Sequence, residues 1–148
     1  MFLKALGCES EVVPKAMMNL ALVYNTRGNF LAQNGDLEGA KTAALDTAKY
    51  LDMAKPLLDD FVSTGKSDGQ LEKYIDRYRP LKIQSHRLLG QLYAGSGDME
   101  ACEKEFRSAT ESFPDEPFAW KMLHRILELQ GKNDEAKSVM EKILSLGG

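Results

Sequence analysis

Two stretches of the chain return to one pattern after a fixed interval. GSGDMEACEKEF at residues 95–106 and LQGKNDEAKSVM at 129–140 each carry a turn glycine, Gly97 and Gly131, placed 34 residues apart. Five residues on comes a small side chain (Cys102, Ala136), and four further a large one (Phe106, Met140). The approach to each turn also corresponds: Leu89, Gly90 and Tyr93 match Leu123, His124 and Leu127, with Trp120 three residues ahead of Leu123. A period of this length constrains the fold more than any other feature, because each unit must be one supersecondary element that buries its apolar face against its neighbours. Leu89, Tyr93, Phe106 and Ala109 fall at helical i, i+3 and i+4 spacings, so the element is predicted to be a pair of antiparallel helices.

Position for position, residues 88–114 resemble the tetratricopeptide repeat family, whose unit reads W-x2-L-G-x2-Y, then A-x3-F, then P. Two such helices approach closely only where small side chains sit at their crossing, and Gly90 with Cys102 or Ala136 supplies them. Pro114 ends the second helix and sets the turn into the next unit, where Trp120 is expected to fill the space between repeats. A weaker copy lies upstream. Tyr24, Gly28, Leu31, Gly35 and Ala40 keep the intervals of His86, Gly90, Tyr93, Gly97 and Cys102. Arg27 stands where leucine is expected, and Ala44, with Leu45 beside it, occupies the large position.

The stretch between the copies is irregular. Leu57, Leu58, Phe61 and Val62, then Leu71, Tyr74, Ile75 and Tyr78, have helical periodicity around a polar turn at Ser67-Asp68-Gly69, with Pro56 and Pro80 interrupting. The favoured reading is a degenerate hairpin over residues 55–82, bounded near the two prolines; the other is two elongated, kinked helices flanking one turn. The expected organisation is a single domain, 1–148, of repeat-like units 21–54, 83–116 and 117–148 around that hairpin, with a long first helix over about residues 9–33. The resemblance implies an all-α fold of antiparallel helical hairpins stacked as a short right-handed superhelix.

Composition narrows the function. Apolar residues at 43% and charged residues at 28% suit a folded soluble chain. With 19 Lys plus Arg against 22 Asp plus Glu, no global field draws nucleic acid or an anionic membrane. Cys8 and Cys102 form no disulfide framework or CxxC pair. The opening MFLKALGCES has an apolar run ending in Gly-Cys, but Lys4 interrupts it and Glu9 follows, so it is not read as a secretory leader. No run approaches the roughly 18 apolar residues of a membrane helix, and a cytoplasmic setting without membrane contact is expected.

The search for chemistry predicts no catalytic residue, metal or cofactor. Gly65-Lys66-Ser67 reproduces the end of a phosphate loop, but Asp60 occupies the place of its first glycine. His86 and His124 fall on packing positions and are too few for a structural zinc site. Glu72 with Asp76, and Lys73 with Arg77, read as a solvated helix face. Tyr74 and Tyr78 interleaved with Lys73, Arg77, Arg79 and Lys82 would offer RNA a stacking surface, although tyrosines at i, i+4 also fill cores.

The resemblance implies a non-catalytic protein–protein interaction module, an adaptor or assembly factor. In that family the first helices of successive repeats line a concave groove for an extended or helical peptide. By position, Asn25, Asn29 and Gln33 of the first copy, Arg87 and Gln91 of the second, and Lys121 and Arg125 of the third face it. Its basic groups point to an acidic peptide. Members with a carboxylate clamp hold a chaperone's C-terminus. Here Asn29 matches one clamp asparagine, while Asn25, Leu88, Phe118 and Met122 depart from the rest. The alternative is a homo-oligomeric scaffold built through Leu144 and Leu146, which shortly precede the final SLGG glycines; RNA-binding or nucleotide-binding subunits are lesser alternatives.

Overall fold

The computed structural model describes residues 12–65 and 69–147. Six helices follow in order: α1 (Val12–Gln33), α2 (Leu37–Ser63), α3 (Gly69–Gly95), α4 (Met99–Ser112), α5 (Pro117–Leu129) and α6 (Asn133–Ser145). No strand occurs among the described residues, so the fold is all-α. Cys8, residues 9–11 of the expected first helix, and the Lys66-Ser67 of the phosphate-loop-like stretch lie outside the described residues.

Three turns share one construction. Gly35, Gly97 and Gly131 adopt φ of 84°, 83° and 75°, a left-handed conformation that costs glycine no Cβ clash. After each glycine, the next amide returns to the carbonyl five residues back: Asp36 to Leu31, Asp98 to Tyr93 and Lys132 to Leu127, each at 2.9 Å. These bonds satisfy helix-end carbonyls that would otherwise be orphaned. The first two turns then start the next helix with an aspartate cap: Asp36 Oδ1 accepts from the Gly39 amide and Asp98 Oδ1 from the Ala101 amide. At the third turn Lys132 supplies no such cap.

The turns also explain the irregular middle. Gly35 and Gly97 are 62 residues apart, and Gly97 and Gly131 are 34 apart. Helices α2 and α3 hold 27 residues each, against 14 in α4 and 13 in α5, so the excess lies in those two helices. The hairpin boundaries expected at Pro56 and Pro80 are therefore corrected: both prolines lie inside helices, and the reading with two elongated helices describes the chain. Each proline withholds one helical N–H, at a cost of about 3 kcal/mol in an isolated helix. Both rings are exposed, while Leu51, Ala54, Leu58 and Phe61 of α2 and Leu71 and Leu81 of α3 are buried in one cluster. That apolar burial offsets the lost hydrogen bonds.

The chain gathers into two compact units, one ending at Ser85 and one beginning at His86, with the boundary inside α3. The first unit's core joins Met18 and Ala21 to the α2 and α3 residues just named, with Tyr24 and Tyr50 stacked at 5.6 Å. The second unit's core joins Cys102 and Phe106 to Leu123, Ile126, Leu127, Ala136, Val139 and Ile143. Met140, expected as the large packing residue of α6, is instead 38% exposed. Val139 and Ile143, four residues apart, take the inward face.

Candidate peptide-binding groove

Gly90 positions the site. Its φ is ordinary helix, so the glycine is required by space rather than by backbone conformation. A Cβ built there would fall 2.5 Å from Phe106 Cε2, a separation that real side chains do not tolerate. The Phe106 ring thus lies on bare α3 backbone and meets Phe118 edge-on, with centroids 6.4 Å apart. This contact seats the end of α3 against α4 and holds Phe106 in the core.

Beside that contact lies an open groove of about 240 Å³. Gly90, Gln91 and Ala94 line it from α3, Met99, Cys102 and Phe106 from α4, and Met122, Arg125, Ile126 and Leu129 from α5. Buried Cys102, Phe106 and Ile126 contrast with Leu129, which is 67% exposed. The lining is apolar apart from Gln91 and Arg125, so it can accept an apolar side chain with polar atoms nearby. Burial, reinforced by the negative charge of Glu105, raises the pKa of the Cys102 thiol. The group therefore stays a thiol at neutral pH and serves as packing.

Of the positional residues of the second unit, Gln91 and Arg125 line this groove. Arg87 and Gln91 lie one turn apart on α3, and Lys121 and Arg125 lie one turn apart on α5, so each pair shares a helix face. All four are exposed. The Arg87 guanidinium stacks 4.3 Å from the Phe118 ring centroid, an attraction that holds the side chain on this face while leaving donors open. Met99 and Leu129 were not singled out by position, and Met122 entered only as a departure from the carboxylate clamp. For Leu129 a signal was present: it is a large apolar residue immediately before the Gln130-Gly131 turn.

The first-unit residues behave differently. Asn25, expected on the groove face, is 5% exposed and donates its amide to Gln84 Oε1 at 2.9 Å, so it is a buried packing residue. Its i, i+4 neighbour Asn29 is exposed and donates to the Asn25 carbonyl at 2.8 Å, while Gln33 is exposed at the end of α1. Tyr74 and Tyr78 are half-buried, and Lys82 is buried in a 2.8 Å ion pair with Asp52. Burial and the charges of Asp52 and Asp59 push the Tyr78 hydroxyl up to about 12. The interleaved tyrosines and cations therefore do not form one open stacking face.

Buried His86 places Nδ1 2.7 Å from Glu105 Oε1, and half-buried His124 lies 3.5 Å from Glu128. Helices α4 and α6 are joined by a network the sequence reading did not single out. Arg107 donates to Glu103 at 2.8 Å and to Glu135 Oε2 at 2.7 Å, and Lys132 donates to Glu103 at 2.7 Å. The Lys132 bond, then that from Arg107, holds the Glu103 carboxyl below its ordinary range. Trp120, half-buried against the second core, donates its indole N–H to the Pro114 carbonyl at 2.9 Å. Its neighbour Pro117 occupies the first turn of α5, where no helical N–H is required.

Residues 83–116, which contain the Gly90–Phe106 contact, the Gly97 turn and Pro114, match the sequence profile of the tetratricopeptide repeat. The chain carries a tetratricopeptide repeat. Its fold is similar to the C-terminal TPR-containing domain of a Plasmodium falciparum protein assigned as FK506-binding, with a TM-score of 0.62 at 19% identity. That likeness covers 90% of this chain and 81% of the other. Two structures of MamA, at 16% and 17% identity, have TM-scores of 0.37 and 0.39. They cover 86% and 85% of this chain and 91% and 96% of theirs. No curated protein matches the sequence. A tetratricopeptide repeat supports a protein–protein interaction module as the general class. No helix of the described residues is long and apolar enough to cross a membrane.

Proposed function

We propose that the groove of the second unit binds a peptide segment that inserts an apolar side chain and presents acidic groups, making the chain a non-catalytic adaptor or assembly factor of the cytoplasm. The observation that supports this reading is an apolar groove lined by Gln91 and Arg125, with Arg87 and Lys121 exposed one turn away on the same helices, and with a floor that exists because Gly90 has no side chain. Exposed ion pairs contribute only about 0.2–1 kcal/mol each. The cations therefore select the sign of the partner, and the apolar anchor supplies most of the affinity. Asn29 and Gln33 offer the α1 face of the first unit amides suited to peptide backbone.

The test compares the wild-type chain with an Arg87→Ala/Lys121→Ala/Arg125→Ala variant in a pull-down from native lysate, after circular dichroism shows equal folding. A partner retained by the wild type and lost by the variant is expected. Equal retention would move the site elsewhere.

A second reading has its own observation. Met140 and Leu144 lie one turn apart on α6 and are 38% and 66% exposed, a surface suited to a second copy. Sedimentation over a wide concentration range checks it: a mass that rises to twice that of one chain and reverts in a Leu144→Glu variant supports the scaffold reading.

A further inference from the structure

The elongation of α3 does more than separate two turns. Its residues 73–81 precede the repeat at 83–116, and together with α1 they enclose a second cleft, of about 380 Å³, within the first unit. Met18 and Leu81, both buried, form its apolar base. Tyr74, Pro80 and the 44% exposed Leu22 form its walls. Leu22 is apolar yet open to water, so covering it is favourable in proportion to the area removed from solvent.

The polar groups around this cleft are unbalanced toward donors. Asn19 engages its oxygen with the Tyr74 hydroxyl at 3.0 Å, and Gln84 engages its oxygen with the Asn25 amide at 2.9 Å. Both Asn19 and Gln84 are exposed and keep their NH₂ groups to offer. Lys73 and Arg77, one turn apart on α3, also line the cleft. Among the described residues neither enters an ion pair, although Arg77 lies over the Tyr74 ring. The cations Lys55 and Lys82, by contrast, are neutralised by Asp59 and Asp52. Asp76 is the single acid in the lining, so two cations and two amide donors face one carboxylate. Helix α1 adds no acid, since residues 12–33 contain Lys15 and Arg27 but no Asp or Glu.

We infer that this cleft is a second docking site, for an acidic amphipathic segment of a partner protein: a leucine-like side chain on Met18, Leu22 and Leu81, and carboxylates on Lys73 and Arg77. Charge complementarity chooses the occupant. A second copy pairing cleft to cleft would bring the same cations and the same acid-free α1. A neutral apolar segment would leave the donors without charged acceptors. The site is independent of the groove proposed above and, apart from Gln84, lies outside the matched repeat.

The experiment is an amide chemical-shift titration of the full chain with a synthetic helical peptide bearing leucines at i, i+4 and flanking glutamates. A counterpart with glutamine in place of glutamate serves as the neutral probe. Saturable shifts at Asn19, Leu22, Tyr74 and Gln84 are expected, with affinity for the glutamate peptide about tenfold above that for the glutamine peptide. Lys73→Glu/Arg77→Glu should abolish that preference, and Leu22→Asp should weaken both peptides. All three positions are exposed, so these variants keep the fold, which circular dichroism verifies. Equal affinity for the two peptides, or no saturable shift, overturns the inference. Shifts confined to Gly90, Gln91 and Arg125 also overturn it while leaving the second-unit groove intact. Shifts at the cleft that grow with protein concentration alone would assign it to a second copy instead.

Discussion

The turns at Asn34–Asp36 and Gln130–Lys132 share one hydrogen-bond pattern, yet the helices leaving them hold 27 and 13 residues. In the first unit, α1 and α2 bury small side chains: Ala21, Gly28, Ala40, Ala43, Ala44 and Thr47. Small residues let helix axes approach closely but supply little apolar area for each turn of helix. In the second unit, α4, α5 and α6 gather Phe106, Leu123, Ile126, Leu127, Val139 and Ile143 into a few turns. The comparison teaches that a turn is a local property, whereas helix length follows how far the chain must continue before its apolar face is adequately buried. The first unit attains a core by extending α2 and α3 through Pro56 and Pro80; the second attains one with large side chains and a bare glycine.

The largest test of that contrast is Phe106→Ala, which removes the 1% exposed ring at the centre of the short-helix core. It should cost about 3–5 kcal/mol in urea unfolding. A loss under about 1 kcal/mol would mean that the second unit does not depend on large side chains as described. Next comes Gly90→Leu, expected to cost about 1–3 kcal/mol by driving a side chain into Phe106. Gly95→Ala provides its control, because a Cβ there meets nothing within 4 Å. That change should be neutral or stabilising in thermal melts, and equal losses from the two glycines would show that helix propensity, not the close contact, governs Gly90.

Pro56→Ala sharpens the other side of the comparison. Restoring the missing N–H inside α2 should raise stability by about 1–2 kcal/mol, part of the helix-interior penalty of proline. Pro117→Ala, at the first turn of α5, should change little. Destabilisation by Pro56→Ala in calorimetry would indicate that the first unit requires the proline geometry.

The smallest effect is expected for Glu103→Gln, about 0.5–1 kcal/mol at neutral pH, because Lys132 is exposed and Arg107 is only partly buried. Glu103 is held below its ordinary pKa in the fold, so its contribution is present at neutral pH. It disappears as pH falls from the ordinary carboxylate range through the lowered folded value. The variant should show a shallower acid limb of stability against pH, and an unchanged limb would remove Glu103 from the account.

Part of the second-unit geometry was legible. Gly90 among bulky apolar residues announced a close helix contact, and the 34-residue period placed Arg87, Gln91, Lys121 and Arg125 on their helix faces. The same positional logic failed at Asn25. A polar residue can lie on the expected face and still be buried when a partner such as Gln84, 59 residues away, accepts its hydrogen bond. Met140 failed for a related reason: adjacent residues on a helix point about 100° apart, so Val139 could take the inward place with almost the same spacing.

The amino-acid order by itself determined the turns and the close crossing, since left-handed φ at Gly35, Gly97 and Gly131 and the missing Cβ of Gly90 are properties of single residues and their near neighbours. Tertiary structure alone decided that Pro56 and Pro80 lie within helices, that Asn25 is interior, and that Lys73 and Arg77 border an apolar cleft. Each of those outcomes depends on apolar burial and hydrogen-bond partners that distant residues supply, and such contacts leave no mark on local spacing.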